Sequence, residues 1–91
     1  MALKEVTSNL GFQQITPGAT STALTVPTGA RIAVIHTEVA VMRWRDDGTA
    51  PTASVGMRIP TGSELIYDGE LTKLRLIQEG AGAIANISYY A

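Results

Sequence analysis

Ninety-one residues with a formal charge of −1 and no cysteine make a chain that excludes several classes at once. That charge gives no long-range field to gather phosphates, which argues against nucleic acid as a partner. There is no thiol for disulfides, for thiolate chemistry or for Cys-ligated zinc, a composition that fits synthesis in a reducing compartment. A domain of this size buries only about 60–65% of its unfolded surface, so a homo-oligomer or a larger assembly is expected to support it. The apolar residues are mostly Ala, Val, Ile and Leu, and the only aromatics are Phe12, Trp44, Tyr67, Tyr89 and Tyr90. Such a core should be thin, as between two stacked sheets.

Residues 1–9, MALKEVTSN, have no clean period and no signal-peptide layout, and read as an N-terminal arm that orders against a neighbour. No apolar run is long enough to span a bilayer, so a membrane partner is not expected. The remaining residues, 10–91, read as one domain. Residues 10–15 form a short strand closed by Thr16-Pro17-Gly18, and the Thr-rich run 20–26 forms a second that stops at Pro27.

Arg31 to Arg45 carries the strongest β signal. Ile32, Val34 and His36 lie on one parity, with Ala33, Ile35, Thr37, Val39 and Val41 on the other. Fifteen residues exceed a typical strand, so a bulge or turn near Glu38 should divide the run into strands over about 31–38 and 40–45. Asp46-Asp47-Gly48 then supplies a turn, followed by TAPTAS, a loop too small and polar to pack. Further strands begin at Gly56 and at Glu64, and Asp68-Gly69 repeats the Asp-Gly turn. LTKLRLIQ, residues 71–78, suits a helix by Leu71 and Leu74 and a strand by Leu74 and Leu76; its flanking turns favour β. Residues 79–83 read as a flexible turn, and Ile84 to Tyr90 closes the chain as a strand. VPTGARI at 26–32 and IPTGSEL at 59–65 echo each other, either as related halves or as two uses of a common corner. The fold class is therefore all-β: a small antiparallel β-sandwich or jelly-roll of about seven to eight short strands with an extended N-terminal arm.

Catalysis needs a base near a nucleophile, or paired carboxylates, and the sole histidine sits within an apolar strand. His36 is read as a packed or half-exposed strand residue, and Asp46 with Asp47 as turn formers, since no further oxygen ligands follow at calcium-loop spacing. Asn86-Ile87-Ser88 is a formal sequon within an expected strand and carries no weight. No phosphate, dinucleotide or nucleophile-elbow motif occurs, so no enzyme, no metal and no cofactor is expected. The cations are more informative: five are Arg and two are Lys, a bias that protein interfaces share. Arg43 and Arg45 share one strand face and Trp44 points to the other. Trp44 and Met57 are assigned to the core, while interface and solvent both stay open for the Arg pair. Tyr89 and Tyr90 must face opposite ways, one into the core and one outward as a contact.

The run VMRWRDDGTAPTASVGMRIPTGSELIYDGEL, followed by KLRLI and NISYY, resembles a group of small virion structural proteins encoded by tailed bacteriophages and prophages, across about residues 24–90. The resemblance carries no catalytic residues. It implies a virion component made in the cytoplasm of a bacterial host, with the major capsid protein or another virion protein as partner. A capsid decoration or cement protein fits that context best, bridging shell subunits in many copies. The contacts expected are Leu3, Lys4 and Val6 of the arm, Arg43, Arg45, Asp46, Asp47, Thr49, Pro51 and Thr52 of the central corner, and Tyr90. The alternatives are a tail, fibre or head-fibre module that meets host glycan near residues 46–54, and an assembly factor absent from the particle.

Overall fold

The structure, a computed structural model, describes residues 8–91. Eight strands follow in order: β1 (Asn9–Ile15), β2 (Thr22–Ala23), β3 (Ile32–Glu38), β4 (Met42–Arg45), β5 (Met57–Ile59), β6 (Glu64–Tyr67), β7 (Arg75–Gln78) and β8 (Ile84–Tyr90), with a single 3-10 turn at Leu71–Lys73. The arm residues Leu3, Lys4 and Val6 lie outside the described residues; Asn9, assigned to the arm from sequence, already belongs to β1.

One antiparallel sheet runs β1-β8-β3-β6 and the other β2-β7-β4-β5. Strands 1 and 8, 2 and 7, 3 and 6, and 4 and 5 therefore pair as the rungs of one long hairpin, rolled so that β8 also meets β3 and β7 meets β4. That is the jelly-roll topology. The tip of the rolled hairpin is the β4–β5 connection, residues 46–56, so the polar corner picked out in the sequence is the turn about which the whole fold closes.

The β3 to β4 run divides where strand length requires. Ala40 N–H donates to Glu38 O at 2.9 Å across Val39, whose φ of 74° makes this a γ-turn of the rare, strained hand. A β-branched residue tolerates that conformation poorly, and here it carries the chain from one sheet to the other. The Pro-Thr-Gly echo is one turn used twice. Ala30 N–H donates to Pro27 O at 3.1 Å and Ser63 N–H to Pro60 O at 3.0 Å, with Gly29 and Gly62 in the left-handed region. Both are type II turns, and they lead into β3 and β6, which are neighbours in one sheet. Buried Thr37 anchors the second of them, its Oγ1 donating to Pro60 O at 2.7 Å.

The core is thin, as its composition requires. Ala33, Ile35, Ala85, Ile87 and Tyr89 face Met42, Ile59, Leu74 and Leu76 from the opposite sheet, with Tyr67 and Leu71 closing one end. Tyr89 is inside and Tyr90 outside, as their adjacency demands. Each buried tyrosine finds an acceptor for its hydroxyl: Tyr89 Oη donates to Gln13 Oε1 at 2.7 Å and Tyr67 Oη to Asp46 Oδ2 at 2.6 Å. Burial above all raises both phenols to about 12; for Tyr67 the hydrogen bond to Asp46 adds to it.

Three expectations are corrected. The run 20–26 keeps only Thr22 and Ala23 as strand, because Pro27 and the following turn pull the rest away from β7. Residues 71–78 hold both patterns in succession, a 3-10 turn burying Leu71 and then a strand burying Leu76. Gly69 is not in the left-handed region that an Asp-Gly turn would need. It is glycine for space: a Cβ there would meet the Tyr67 hydroxyl and lie 2.7 Å from its Cζ.

Candidate functional site

β4 is central in its sheet, with β7 on one side and the short edge strand β5 on the other. Met42 and Leu76 point inward, so their neighbours point out. The register then sets Arg45 beside Arg75 in one outward row, and Ile77, Arg43 and Arg58 side by side in the next. Ile77 is nearly buried yet stands outside the inter-sheet core, its row neighbours being arginines whose long apolar stems suit such a position. Four of the five arginines thus share one face.

None of the four hangs free. Glu79 takes Arg58 in a fork, Nε to Oε1 and Nη2 to Oε2, both at 2.9 Å, and accepts Arg43 Nε at 2.9 Å as well. Arg43 Nη1 also donates to Gly56 O at 2.9 Å, which fixes the loop to the strand. Arg45 forks onto Asp47, Nε to Oδ1 at 3.0 Å and Nη2 to Oδ2 at 2.5 Å. Arg75 is held by carbonyls alone, from Thr72 at 2.8 Å and Leu74 at 3.1 Å. Against four guanidinium charges stand the carboxylates of Glu79 and Asp47, so the face keeps a positive excess on a chain whose net charge is −1.

The forked bonds lower the two carboxylates. Arg58, with Arg43 beside it, holds Glu79 below its ordinary 4.5, and Arg45 holds Asp47 below its ordinary 3.8. A carboxyl lowered on folding adds stability above its unfolded value, and that contribution is lost as pH falls through the lowered folded value. Glu79→Gln should therefore reduce the melting temperature at neutral pH, and the gap from the parent should close as both are titrated below about pH 4. A gap that is constant with pH would show that the carboxylate charge contributes nothing.

The corner is ordered by its own bonds. Asp46 reaches across to Tyr67 on the other sheet, and Trp44 meets the Tyr67 ring edge-on, centroids 5.7 Å apart. Thr49 N–H donates to Asp47 Oδ1 at 3.4 Å. Thr52 Oγ1 accepts Ser54 N–H at 3.2 Å and Val55 N–H at 2.9 Å. Pro51, expected as an outward contact in a loop too polar to pack, is buried; a Cβ on Gly56 would come within 3.2 Å of its Cβ. Met57, expected in the core, is 60% exposed. It pairs with Trp44 and shares its face, but β5 is an edge strand of three residues with little above it. Trp44 is accordingly half-buried: it packs on the core and also forms the wall of an open groove of about 540 Å³ with Val55, Met57 and the Arg45–Asp47 pair.

Of the residues expected to make contacts, Arg45, Asp46, Asp47, Thr49 and Thr52 come together at this end, and Arg43 joins them through Gly56. Tyr90 lies on the far sheet. The sequence reading missed Arg75, which bonds to carbonyls one and three residues away, and Arg58 and Glu79, whose partners lie 21 to 36 residues away along the chain and are fixed by strand order. Among the described residues no three His, Asp or Glu side chains stand close enough to hold a metal ion. Comparison with protein-family models, with curated proteins and with solved structures finds no match to the chain.

Proposed function

We propose that this jelly-roll is a non-enzymatic structural module of a phage particle, a decoration or cement protein that binds the outer shell in many copies and bridges its subunits. The particle context comes from the resemblance across about residues 24–90. The observation that carries the docking role is the plane of four arginines on the outer face of the β2-β7-β4-β5 sheet. Their side chains are already ordered by Glu79, Asp47 and backbone carbonyls, so little rotamer freedom is lost on binding. Arginine in such a setting is suited to carboxylates and carbonyls of a protein surface. Copy number and contacts to several subunits would make modest single affinities add.

Mass spectrometry of purified particles tests the context: hundreds of copies support decoration, a handful supports a tail or fibre, and absence removes both structural roles. Binding to shells stripped of the protein tests the face. Replacing Arg45 and Arg75 together by Gln should weaken shell binding by about tenfold or more and flatten its salt dependence, with the melting temperature little changed. Arg43 is unsuited to that experiment, since its loss would remove one bond to Glu79 and release the Gly56 carbonyl. Unchanged affinity in the Arg45 and Arg75 double variant would remove the arginine plane as the docking surface.

A further inference from the structure

The opposite face of the sandwich has a different chemistry. On the β1-β8-β3-β6 sheet, Ala33, Ile35, Thr37, Ala85, Ile87 and Tyr89 point inward, so alternate residues point out. The register arranges these in rows across all four strands. One row is Phe12, Ser88, Val34 and Ile66, with Ile32 and Tyr90 on its far side. The next is Gln14, Asn86, His36 and Glu64. A mainly apolar row, led by an aromatic ring 65% exposed at Phe12 and interrupted by Ser88, thus runs beside a row made only of hydrogen-bonding side chains.

That second row is ordered and only partly used. Gln14 Nε2 donates to Asn86 Oδ1 at 2.8 Å, which orients both amides and leaves the Gln14 carbonyl oxygen and the Asn86 amide N–H for another partner. His36 and Glu64 make no side-chain hydrogen bond or ion pair among the described residues. The row therefore presents acceptors and donors at intervals of about 4.8 Å, the strand spacing, over a span of about 14 Å.

We infer that this face binds a neutral oligosaccharide, lying across the strands with sugar rings against Phe12 and the apolar row and hydroxyls on the Gln14, Asn86, His36 and Glu64 row. A pyranose has both an apolar face and a hydroxyl edge, and it repeats at about the strand spacing. Three other partners fit less well. A nucleic acid would need cations, and neither row contains Arg or Lys. An anionic sugar would meet Glu64, with Glu38 further along β3. A second copy or other protein would meet a face whose apolar row is interrupted by Ser88 and bordered along its length by the polar row. It would also strand the polar row in a dry contact. The two sheets face opposite ways, so a chain held to a shell by its arginines would show this face outward, but the inference does not depend on that docking.

The test uses the isolated full chain, without shells. A panel of neutral hexose oligosaccharides of four to six units, with sialylated and sulfated counterparts, is titrated into labelled protein and followed by amide chemical shifts. The expected result is saturable binding of at least one neutral member in about the millimolar range or tighter. Its shifts should centre on the amides of Phe12, Gln14, Val34, His36 and Asn86. Phe12→Ala and Gln14→Ala should each weaken it by about tenfold with unchanged melting temperature. No binding by any neutral member at about 10 mM, shifts centred elsewhere, or preference for the anionic members would overturn the inference. So would a concentration-dependent dimer that Phe12→Ala dissolves, since the face would then belong to a second copy. Shell binding, measured separately, is left as it was by any of these results.

Discussion

Leu76→Ala is expected to cost about 2–5 kcal/mol, against a total stability of about 5–14 kcal/mol for a domain of this length. Ile77→Ala, one residue on and almost as fully buried, should cost clearly less. Leu76 is fully buried in the inter-sheet core, cross-strand from Trp44, where the neighbours cannot close on a cavity. Ile77 faces outward beside Arg43 and Arg58, on the solvent side of the sheet, where water can reach the vacated space. Urea unfolding at constant slope should show a midpoint for Leu76→Ala far below that of Ile77→Ala, and thermal melts should separate them by about 5–20 °C. Equal losses would mean that Ile77 sits in a rigid core of its own, and the outer arginine face would have to be redrawn.

That contrast marks what a sequence of this kind reveals. Parity along 32–38 and 84–90 separates inward from outward side chains correctly, because a strand's period of two is a local property. The break at Glu38 follows from strand length, and the adjacent tyrosines divide as they must. Partners across strands are not local. The Arg43–Glu79–Arg58 cluster depends on β4 lying between β7 and β5, and Glu79 stands in a stretch that reads only as a flexible turn. Met57 was misplaced for the same reason: its parity is right, since it shares a face with Trp44, but its position at a sheet edge is invisible without the strand order. Pro51 is buried because the corner folds back on itself, through bonds made by Asp46, Arg43 and Thr52 that no periodicity announces. The Gln14, Asn86, His36 and Glu64 row comes from four separate strands and had no sequence signal as a group.

Gly69→Ala should lower the melting temperature by about 5–20 °C, the equivalent of roughly 1–3 kcal/mol of overpacking. The added methyl would press on the Tyr67 hydroxyl and ring, and that ring has nowhere easy to go. Trp44 meets it edge-on at 5.7 Å, Asp46 holds its hydroxyl at 2.6 Å, and it is itself buried. Tyr67→Phe should cost about 1.5–3 kcal/mol for a hydrogen bond to a charged acceptor, with the Asp46 carboxylate left beneath the corner. Combining the two should cost less than their sum, because removing the hydroxyl also removes the atom the new methyl strikes first. Trp44 fluorescence supplies an independent readout: its emission should change in Gly69→Ala as the Tyr67 edge shifts, and move back toward the parent in the double variant. Strict additivity, or an unchanged Trp44 signal, would show that Gly69 acts on its own backbone and not through Tyr67. With the coupling present, the glycine of an ordinary-looking Asp-Gly pair fixes Tyr67. Tyr67 in turn fixes Asp46, at the tip of the hairpin about which all eight strands are rolled.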